Sequence, residues 1–375
     1  MTTDKRILLI ALTLIKGVGS VLTRHLLQYF GEIDIIFSEK RQVLEKVPGI
    51  GIHTAEKIVA LRTDALKRAE QELAFVEKNK IRLYSMLDDD YPIRLRECQD
   101  APVVCYVKGN VNLNAHRILS VVGTRNATDY GRQLTASLIK ELSDMIPGLL
   151  IVSGLAYGID ICAHRSALKN GLPTVGVLAH GLDRIYPTVH RGTAIEMIHQ
   201  GGLLTDFING TSPERENFLQ RNRLIAGLAD ATIVVESAEK GGALVTADIA
   251  LSYGREVYAF PGRISDAHSQ GCNRMIQTNK AGLITSARDL ILGLCWDTDN
   301  MAANPDPAKP AMLPFKKERP DHPVITMLSE RSEMQINEMA AEMNLPVHQL
   351  STMLFALELD GHIKALPGGI YKLNP

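Results

Sequence analysis

The sequence lacks a surplus of either charge, although a nucleic-acid-binding protein often carries many more basic than acidic residues. Its 41 lysines and arginines are matched by 42 aspartates and glutamates, which leaves a net charge of −1. A site for nucleic acid would therefore depend on basic residues that cluster locally. Because 45% of the residues are hydrophobic, the chain can still bury a sizeable core.

Cysteine is scarce, and the five cysteines form no C-x-x-C pair and no spacing typical of a metal site. An odd number without a framework fits a reducing compartment, so we predict a cytoplasmic protein without a bound metal. The apolar stretch at residues 7–15 is too short to span a bilayer and lacks a small-residue cleavage site. We therefore expect no membrane partner.

Several enzyme motifs are missing as well. No G-x-G-x-x-G follows the first predicted strand, and no G-x-x-x-x-G-K-[ST] occurs, which argues against a dinucleotide site and a P-loop. Neither H-E-x-x-H nor G-x-S-x-G is present. We expect no catalytic residue and no cofactor.

The length of 375 residues suggests two or three domains, and the first covers residues 1–85. Its apolar residues recur at helical spacing, and two glycine motifs, Gly17-Val18-Gly19 and Pro48-Gly49-Ile50-Gly51, each precede a predicted helix. Both motifs look like helix-hairpin-helix turns, whose glycines let backbone N–H groups approach a phosphate. A small helical domain whose tight turns need glycine explains them equally well.

Residues 86–296 change to short apolar runs separated by helical stretches. Such near-continuous runs indicate a parallel sheet covered on both faces, so we predict an α/β, Rossmann-like, doubly wound fold. The runs are residues 118–122, 149–152, 174–178, 203–204, 232–235 and 257–260.

Proline and alanine then predict an extended linker over residues 297–319. Residues 320–375 follow with three short helical patterns and a hairpin around Pro367-Gly368-Gly369, which predicts a winged helix. Its candidate recognition helix, residues 347–360, contains two acidic residues and His348 as its one potentially basic residue. We expect it to bind protein or to modulate a dimer more than to bind DNA, which requires cations.

The central segment also carries a series of motifs in order. They are Val122-Gly123-Thr124-Arg125, residues 153–160 with His164, Gly181-Leu182-Asp183 with Tyr186-Pro187, Phe218, residues 221–227, residues 241–247, Pro261-Gly262 and Gly271-Cys272-Asn273. Together, within one Rossmann-like unit, they resemble the DNA-processing protein A (DprA/Smf) family. The flanking segments match too, since members often carry an N-terminal helical domain and a C-terminal winged helix.

The resemblance implies a protein that binds incoming single-stranded DNA during natural transformation and protects it. It also implies help in loading the RecA recombinase onto that strand, and a homodimer formed through the Rossmann domain. A pure RecA adaptor with incidental DNA contact is a weaker alternative. The other alternative is a nucleotide phosphoribohydrolase-like enzyme of similar fold, but its Pro-Gly-Gly-x-Gly-Thr loop and catalytic glutamate are not matched at residues 241–246.

The DNA-binding residues are predicted at the carboxyl ends of the strands, where doubly wound folds hold ligands. Gly123, Thr124 and Arg125 directly follow the first run of the segment, and Ser153 and Gly154 directly follow the second. The guanidinium of Arg125 suits a phosphate, although a structural ion pair is the plainer interpretation.

A second group lies in residues 213–223, where arginines surround one aromatic residue. Single-strand grooves combine cations with an aromatic platform, and the family counterpart of Phe218 stacks on a base. Burial in the core is the commoner fate of a phenylalanine. We predict phosphate contacts near a helix N-terminus for Arg221, Asn222 and Arg223, with a helix cap as the plain alternative for the asparagine. The family resemblance implies a further contact of Arg215 to a backbone phosphate.

The last group follows a later strand, where Lys240, Gly241 and Gly242 open another helix and predict a second phosphate cradle. The family usually has Ser-Gly-Ser here, so two hydroxyls are missing, and Asn273 is added from the resemblance. Asp160 and His164 lie four residues apart, but a helix N-cap and its structural partner explain them better than catalysis does.

Overall fold

The computed structural model describes residues 4–296, 322–331, 333–359, 362–366 and 369–373. The chain divides into two compact units, residues 1–299 and 300–375. The predicted linker at residues 297–319 lies entirely outside the described residues, and the predicted domain bounds stay predictions.

The first unit begins with five helices around an apolar core. Helix α1 packs along the long helix α5, and α2 and α5 begin directly after Gly19 and Gly51, as the two glycine motifs predicted. The helices are α1 (Lys5–Leu14), α2 (Ser20–Phe30), α3 (Ile33–Ser38), α4 (Arg41–Leu44) and α5 (Ile52–Lys78).

A nine-stranded sheet forms the rest of this unit. Its strands are β1 (Arg82–Ser85), β2 (Val104–Gly109), β3 (Ile118–Val122), β4 (Leu150–Gly154), β5 (Thr174–Val177), β6 (Gly202–Thr205), β7 (Ala231–Val234), β8 (Glu256–Ala259) and β9 (Gly282–Leu283). Their order is β1-β2-β6-β5-β4-β3-β7-β8-β9, parallel from β6 to β9. This topology confirms the Rossmann-like prediction.

Helices cover both faces of the sheet because its central strands are buried on both sides, with separate apolar clusters on each face. The helices are α6 (Ile93–Arg96), α7 (Asp129–Met145), α8 (Ile159–Lys169), α9 (Arg191–Gln200), α10 (Arg215–Leu228), α11 (Gly242–Ser252), α12 (Gln270–Gln277) and α13 (Ala287–Gly293).

The antiparallel strands β1 and β2 were not predicted. They extend the parallel sheet beyond β6, and β2 contributes Val104 and Tyr106 to the core of the five helices. Buried Glu72 of α5 also accepts a hydrogen bond from the backbone N–H of Asn209 (3.0 Å). The helical region and the sheet are therefore held together by packing and by a buried carboxylate.

The second unit has the predicted three helices and hairpin of a winged helix. It contains α14 (Pro323–Glu330), β10 (Glu333–Gln335), α15 (Ile336–Glu342), α16 (Val347–Leu359), β11 (Ile363–Leu366) and β12 (Ile370–Leu373). Strand β12 pairs with both β10 and β11, so the wing is three-stranded. A separate apolar core, which includes Leu350 and Leu354, holds the helices against it.

Candidate functional site

The strand order reverses at β3, because β4, β5 and β6 follow on one side of it and β7 and β8 on the other. Crevices at such a reversal are the usual ligand sites of doubly wound sheets. The loops after β3 and β7 enclose here a cavity of about 400 Å³, which we name the rim cavity. Nine of the predicted site residues line it: Gly123, Thr124, Arg125, Phe218, Arg221, Asn222, Lys240, Gly241 and Gly242.

The turn after β3 is fixed by the loop after β7. The backbone N–H of Thr124 donates to the carbonyl of Glu236 (2.8 Å), and the Thr124 hydroxyl accepts from the N–H of Asn126 (3.1 Å). Gly123 has no room for a side chain, because a Cβ there would overlap Ile159. The turn thus presents Arg125, which is exposed and forms no ion pair with any described residue.

Phe218 lies in the wall of the rim cavity and is half-buried, so it is not a core residue. The guanidinium carbon of Arg125 lies 5.4 Å from the centre of its ring, and that of Arg221 lies 5.8 Å away. Tyr186 approaches the same ring at 6.1 Å between centroids. Two cations therefore lie within cation–π distance of one accessible ring.

Arg221 is the buried cation of the site, with 5% of its surface exposed. It donates to the carbonyl of Val177, while its Nε is buried and has no partner among the described residues. Burial lowers the pKa of Arg221 to about 10, against the opposing charge of Asp160, so it stays charged at neutral pH. A buried cation with a free N–H, facing a cavity, favours an anionic ligand.

Gly154 makes room for this arrangement. A Cβ at Gly154 would overlap both the Arg221 guanidinium and the Asp160 carboxylate. Ser153 and Gly154 are the last two residues of β4, whereas they were predicted to follow it. Ser153 is fully buried and donates to the carbonyl of Val121 (2.6 Å), so it supports the sheet and does not line the cavity.

The placement of residues 221–223 near a helix N-terminus was wrong. Helix α10 begins at Arg215, with Glu214 as its N-cap. Arg221 is therefore the seventh residue of the helix, and Asn222 is not a helix cap. Only the second half of α10 is apolar, because its first turns face away from the core; the apolar run therefore marked the wrong start. Asn222 is buried and lines the rim cavity.

Besides Ser153 and Gly154, three more predicted residues lie outside the cavity lining. Arg215 is exposed at the first position of α10. Arg223 forms an ion pair with Asp206 and donates to the carbonyl of Asp100, so it would have to leave these partners to reach a phosphate. The amide of Asn273 bonds both backbone groups of Gly262, at 2.9 and 3.1 Å.

As predicted, the turn after β7 leads directly into a helix, α11. Gly241 is the N-cap of α11, and the Gly242 Cα faces open space. Lys240 is exposed and unpaired among the described residues. The first N–H groups of α11 therefore border the cavity, in the geometry that binds anions at helix N-termini.

Asp160 and His164 have separate roles in the structure. Asp160 is the second residue of α8 and not its N-cap, which is Gly158; burial raises its pKa, although the charge of Arg221 opposes this. His164 is fully buried between the Thr174 hydroxyl (2.7 Å) and the Gly154 carbonyl (2.6 Å). Burial lowers the pKa of His164 to about 4, which fits a neutral structural group under the rim.

Five polar residues of the cavity wall were not predicted as site residues: Asn126, Asp160, Ser237, Thr246 and His268. Asp160 follows Gly158 in a motif that was already singled out, so its place at the strand end could have been inferred. His268 lies on the loop after β8, and no local pattern shows that this loop turns back toward α11.

In the part of the chain that the structure describes, no group of three or more histidines, cysteines, aspartates or glutamates could hold a metal ion. No helix in the same ranges is both long enough and apolar enough to cross a membrane.

Three family models match the chain. Residues 82–294 match the DNA recombination-mediator protein A family, residues 306–369 match the DprA winged helix domain, and residues 9–60 match the SAM-like helix-hairpin-helix tandem.

Relatives agree with these matches. Protein Smf of Escherichia coli is 34% identical over 316 residues, which cover 82% of each chain. DNA processing protein DprA of Streptococcus pneumoniae is 39% identical over 215 residues, 57% of this chain and 75% of that relative.

Two solved structures are similar as well. The structure of DprA from Streptococcus pneumoniae superposes with a TM-score of 0.65 at 31% identity, covering 78% of this chain and 98% of that one. A structure of DprA from Helicobacter pylori, described for its single-stranded DNA binding mode, gives a TM-score of 0.52 at 28% identity and covers 58% and 97%.

Proposed function

Because the chain belongs to the DNA recombination-mediator protein A family, we propose that it binds single-stranded DNA at the rim cavity and acts on DNA taken up in natural transformation. The relative from Helicobacter pylori, with its single-stranded DNA binding mode, supports this proposal. The observation that carries it is the Phe218 ring, accessible in the cavity wall and flanked by the guanidiniums of Arg125 and Arg221.

The chemistry of the cavity suits one nucleotide unit of a single strand. Phe218 offers a stacking surface, which every base can use, so sequence preference should be slight. Arg221 and the N–H groups at the start of α11 meet a phosphate inside the cavity, while Arg125 and Lys240 meet its neighbours at the mouth. Duplex DNA binds worse, because its stacked bases do not reach Phe218.

Arg215 provides an outer phosphate contact in this proposal, since it is exposed on the same helix as Phe218. Thr124 and Gly123 act through the shape of their turn. Ser153, Gly154, Arg223 and Asn273 contribute indirectly, by holding the strand ends, α10 and the loop after β8 in position.

The wider role follows the family resemblance. We propose that the protein works in the cytoplasm, protects the incoming strand, helps load RecA onto it and forms a homodimer through its Rossmann domain. Two rims on one strand would raise avidity, because the second contact becomes intramolecular.

The test is a fluorescence-anisotropy titration of a labelled single strand and its duplex across a salt series. Wild type should prefer the single strand and lose affinity steeply with salt. The double variant Arg125→Ala/Phe218→Ala should lose both properties, while Arg274→Ala, which removes an exposed arginine outside the cavity lining, should lose neither. Equal weak binding by all samples would contradict the proposal.

The enzyme alternative is tested separately by a nucleotide hydrolysis screen. A general acid–base pair is not available from Asp160 and His164, because His164 is fully buried and bonded to the Gly154 carbonyl. We therefore expect no hydrolysis above background, and turnover that Asp160→Asn abolishes would favour the enzyme instead.

A further inference from the structure

A second cavity lies beside the rim cavity, and we propose that it holds a further base of the same DNA strand, with Tyr130 as its stacking platform. It has a volume of about 900 Å³ and lies between the start of α7 and the loop after β8. His268 lines both cavities, so the two are adjacent. The inference rests on the function proposed above.

The Tyr130 side chain is exposed to solvent and is held in place by a hydrogen bond. Tyr130 is 46% exposed, and its hydroxyl donates to the carbonyl of Pro261 (3.0 Å). That bond ties the ring to the far wall of the second cavity. An accessible ring held in place loses little conformational freedom when a base stacks on it.

Glu236 connects the two cavities. Its carboxylate is buried and accepts from the N–H of Thr128 (2.9 Å) and from the Thr128 hydroxyl, and Thr128 is the N-cap of α7. Its carbonyl accepts from Thr124 in the turn that carries Arg125. One residue therefore fixes both the helix start that bears Tyr130 and the turn that borders Phe218.

The charges favour a base over a phosphate in the second cavity. Its wall contains the carboxyl groups of Glu236 and Asp266, which repel a phosphate, and that of Asp129, which is paired with Arg132 (2.7 Å). Arg263 is exposed in the same loop and can meet the backbone outside. The buried Nδ1 of His268 has no partner among the described residues and can bond the edge of a base.

An abasic scan tests this pairing of rings with bases. A labelled oligothymidylate is shortened to the smallest length that keeps wild-type affinity, about 4–16 nucleotides for single-strand grooves, so that it fills the site in one register. One nucleotide at a time is then replaced by an abasic unit. For wild type, we expect two positions at which the abasic unit weakens binding by about tenfold, the typical effect of one lost stack. Phe218→Ala should erase one position and Tyr130→Ala the other.

Controls separate stacking from a folding defect. Tyr130→Phe keeps the ring, so the strand position assigned to Tyr130 should remain sensitive to an abasic unit. Tyr130→Leu keeps the apolar volume but not the ring, so that sensitivity should disappear. Tyr29→Ala removes an equally exposed ring of the helical region and should change neither position. Thermal melting without DNA establishes that each variant folds.

Each outcome has a distinct meaning. If Tyr130→Ala and Tyr130→Leu keep both positions, or weaken intact and abasic strands equally, the second base site is overturned. A wild-type scan with one sensitive position, lost in Phe218→Ala, overturns it too and leaves the proposed function standing. If wild type binds no single strand, or if no position depends on Phe218, the proposed function itself fails.

Discussion

The rim cavity and helix α16 of the winged helix both present an aromatic ring, but they differ in the cations that surround it. At the rim, two guanidiniums lie within 6 Å of the Phe218 ring, at 5.4 and 5.8 Å. Helix α16 exposes Phe355 by 66% but contains neither lysine nor arginine. An exposed ring without cations offers stacking but no attraction for phosphates. The comparison therefore supports the proposal that a single strand binds at the rim cavity.

The largest expected effect concerns the support beneath the rim. The folded protein keeps His164 neutral, with a pKa of about 4, while the unfolded chain takes up the proton near the ordinary value of 6.5. The unfolded state thus binds more protons between these values, and stability falls as the pH drops through that window, by up to about 3 kcal/mol. Denaturant unfolding at pH 4 to 7 measures this.

His164→Gln is the matched variant for that measurement. It should be less stable than wild type at pH 7, because the buried bonds to Thr174 and Gly154 are weakened, but its stability should vary less with pH. An unchanged pH dependence in the variant would assign the acid sensitivity to other groups.

The next effect is the loss of the ring at the rim. Phe218→Ala should weaken single-strand binding by about 1–3 kcal/mol, the usual contribution of one stacked base. Anisotropy titration at fixed salt gives this value. Phe218→Leu, which retains apolar volume without an aromatic face, should bind nearly as weakly as the alanine variant; wild-type affinity in Phe218→Leu would argue that Phe218 acts through packing.

A smaller effect distinguishes Arg125, which lines the rim cavity, from Arg223, which does not. Arg125→Ala should reduce the salt slope of binding by roughly one unit, because one phosphate contact is lost. Arg223→Ala should leave that slope unchanged and lower the melting temperature, since Arg223 is paired with Asp206. A lower salt slope in Arg223→Ala would instead mean that Arg223 breaks its ion pair with Asp206 when DNA binds and contacts a phosphate.

The smallest effect is expected at the winged helix, and it completes the comparison. Phe355→Ala in the full chain should leave single-strand affinity unchanged, although this ring is more exposed than most in the described residues. Titration beside Phe218→Ala checks it directly. A comparable loss in both variants would mean that α16 also stacks on DNA.

Much of the fold could be predicted from the sequence, because buried parallel strands have near-continuous apolar runs. The run at residues 118–122 coincides with β3, and the others lie within two residues of their strands. Strand β1 was not predicted, since a four-residue edge strand lacks such a run. Strand β2 does have an apolar run, at residues 103–107, which the prediction overlooked. The turns at Gly19 and Gly51 were found because a helix starts immediately after each.

The site was predictable in outline but not in detail. The strand-end rule placed Gly123 to Arg125 and the glycines of α11 correctly around the cavity. Arg221 and Arg223 looked equivalent, yet residues two apart on a helix point in nearly opposite directions, so one faces the cavity and the other Asp206. The amide of Asn273 is hydrogen-bonded to the backbone of Gly262, on a different loop. The spacing of residues in the sequence does not reveal such a contact.

The glycine at position 154 also constrains how this protein can evolve, because the site has no room for a side chain there. Any replacement there displaces the Arg221 guanidinium and the Asp160 carboxylate together. A single substitution at residue 154 is therefore blocked unless both neighbours change as well, and each of those changes alone leaves a buried charge without its counterpart. We therefore expect residues 154, 160 and 221 to change together in evolution or to stay unchanged.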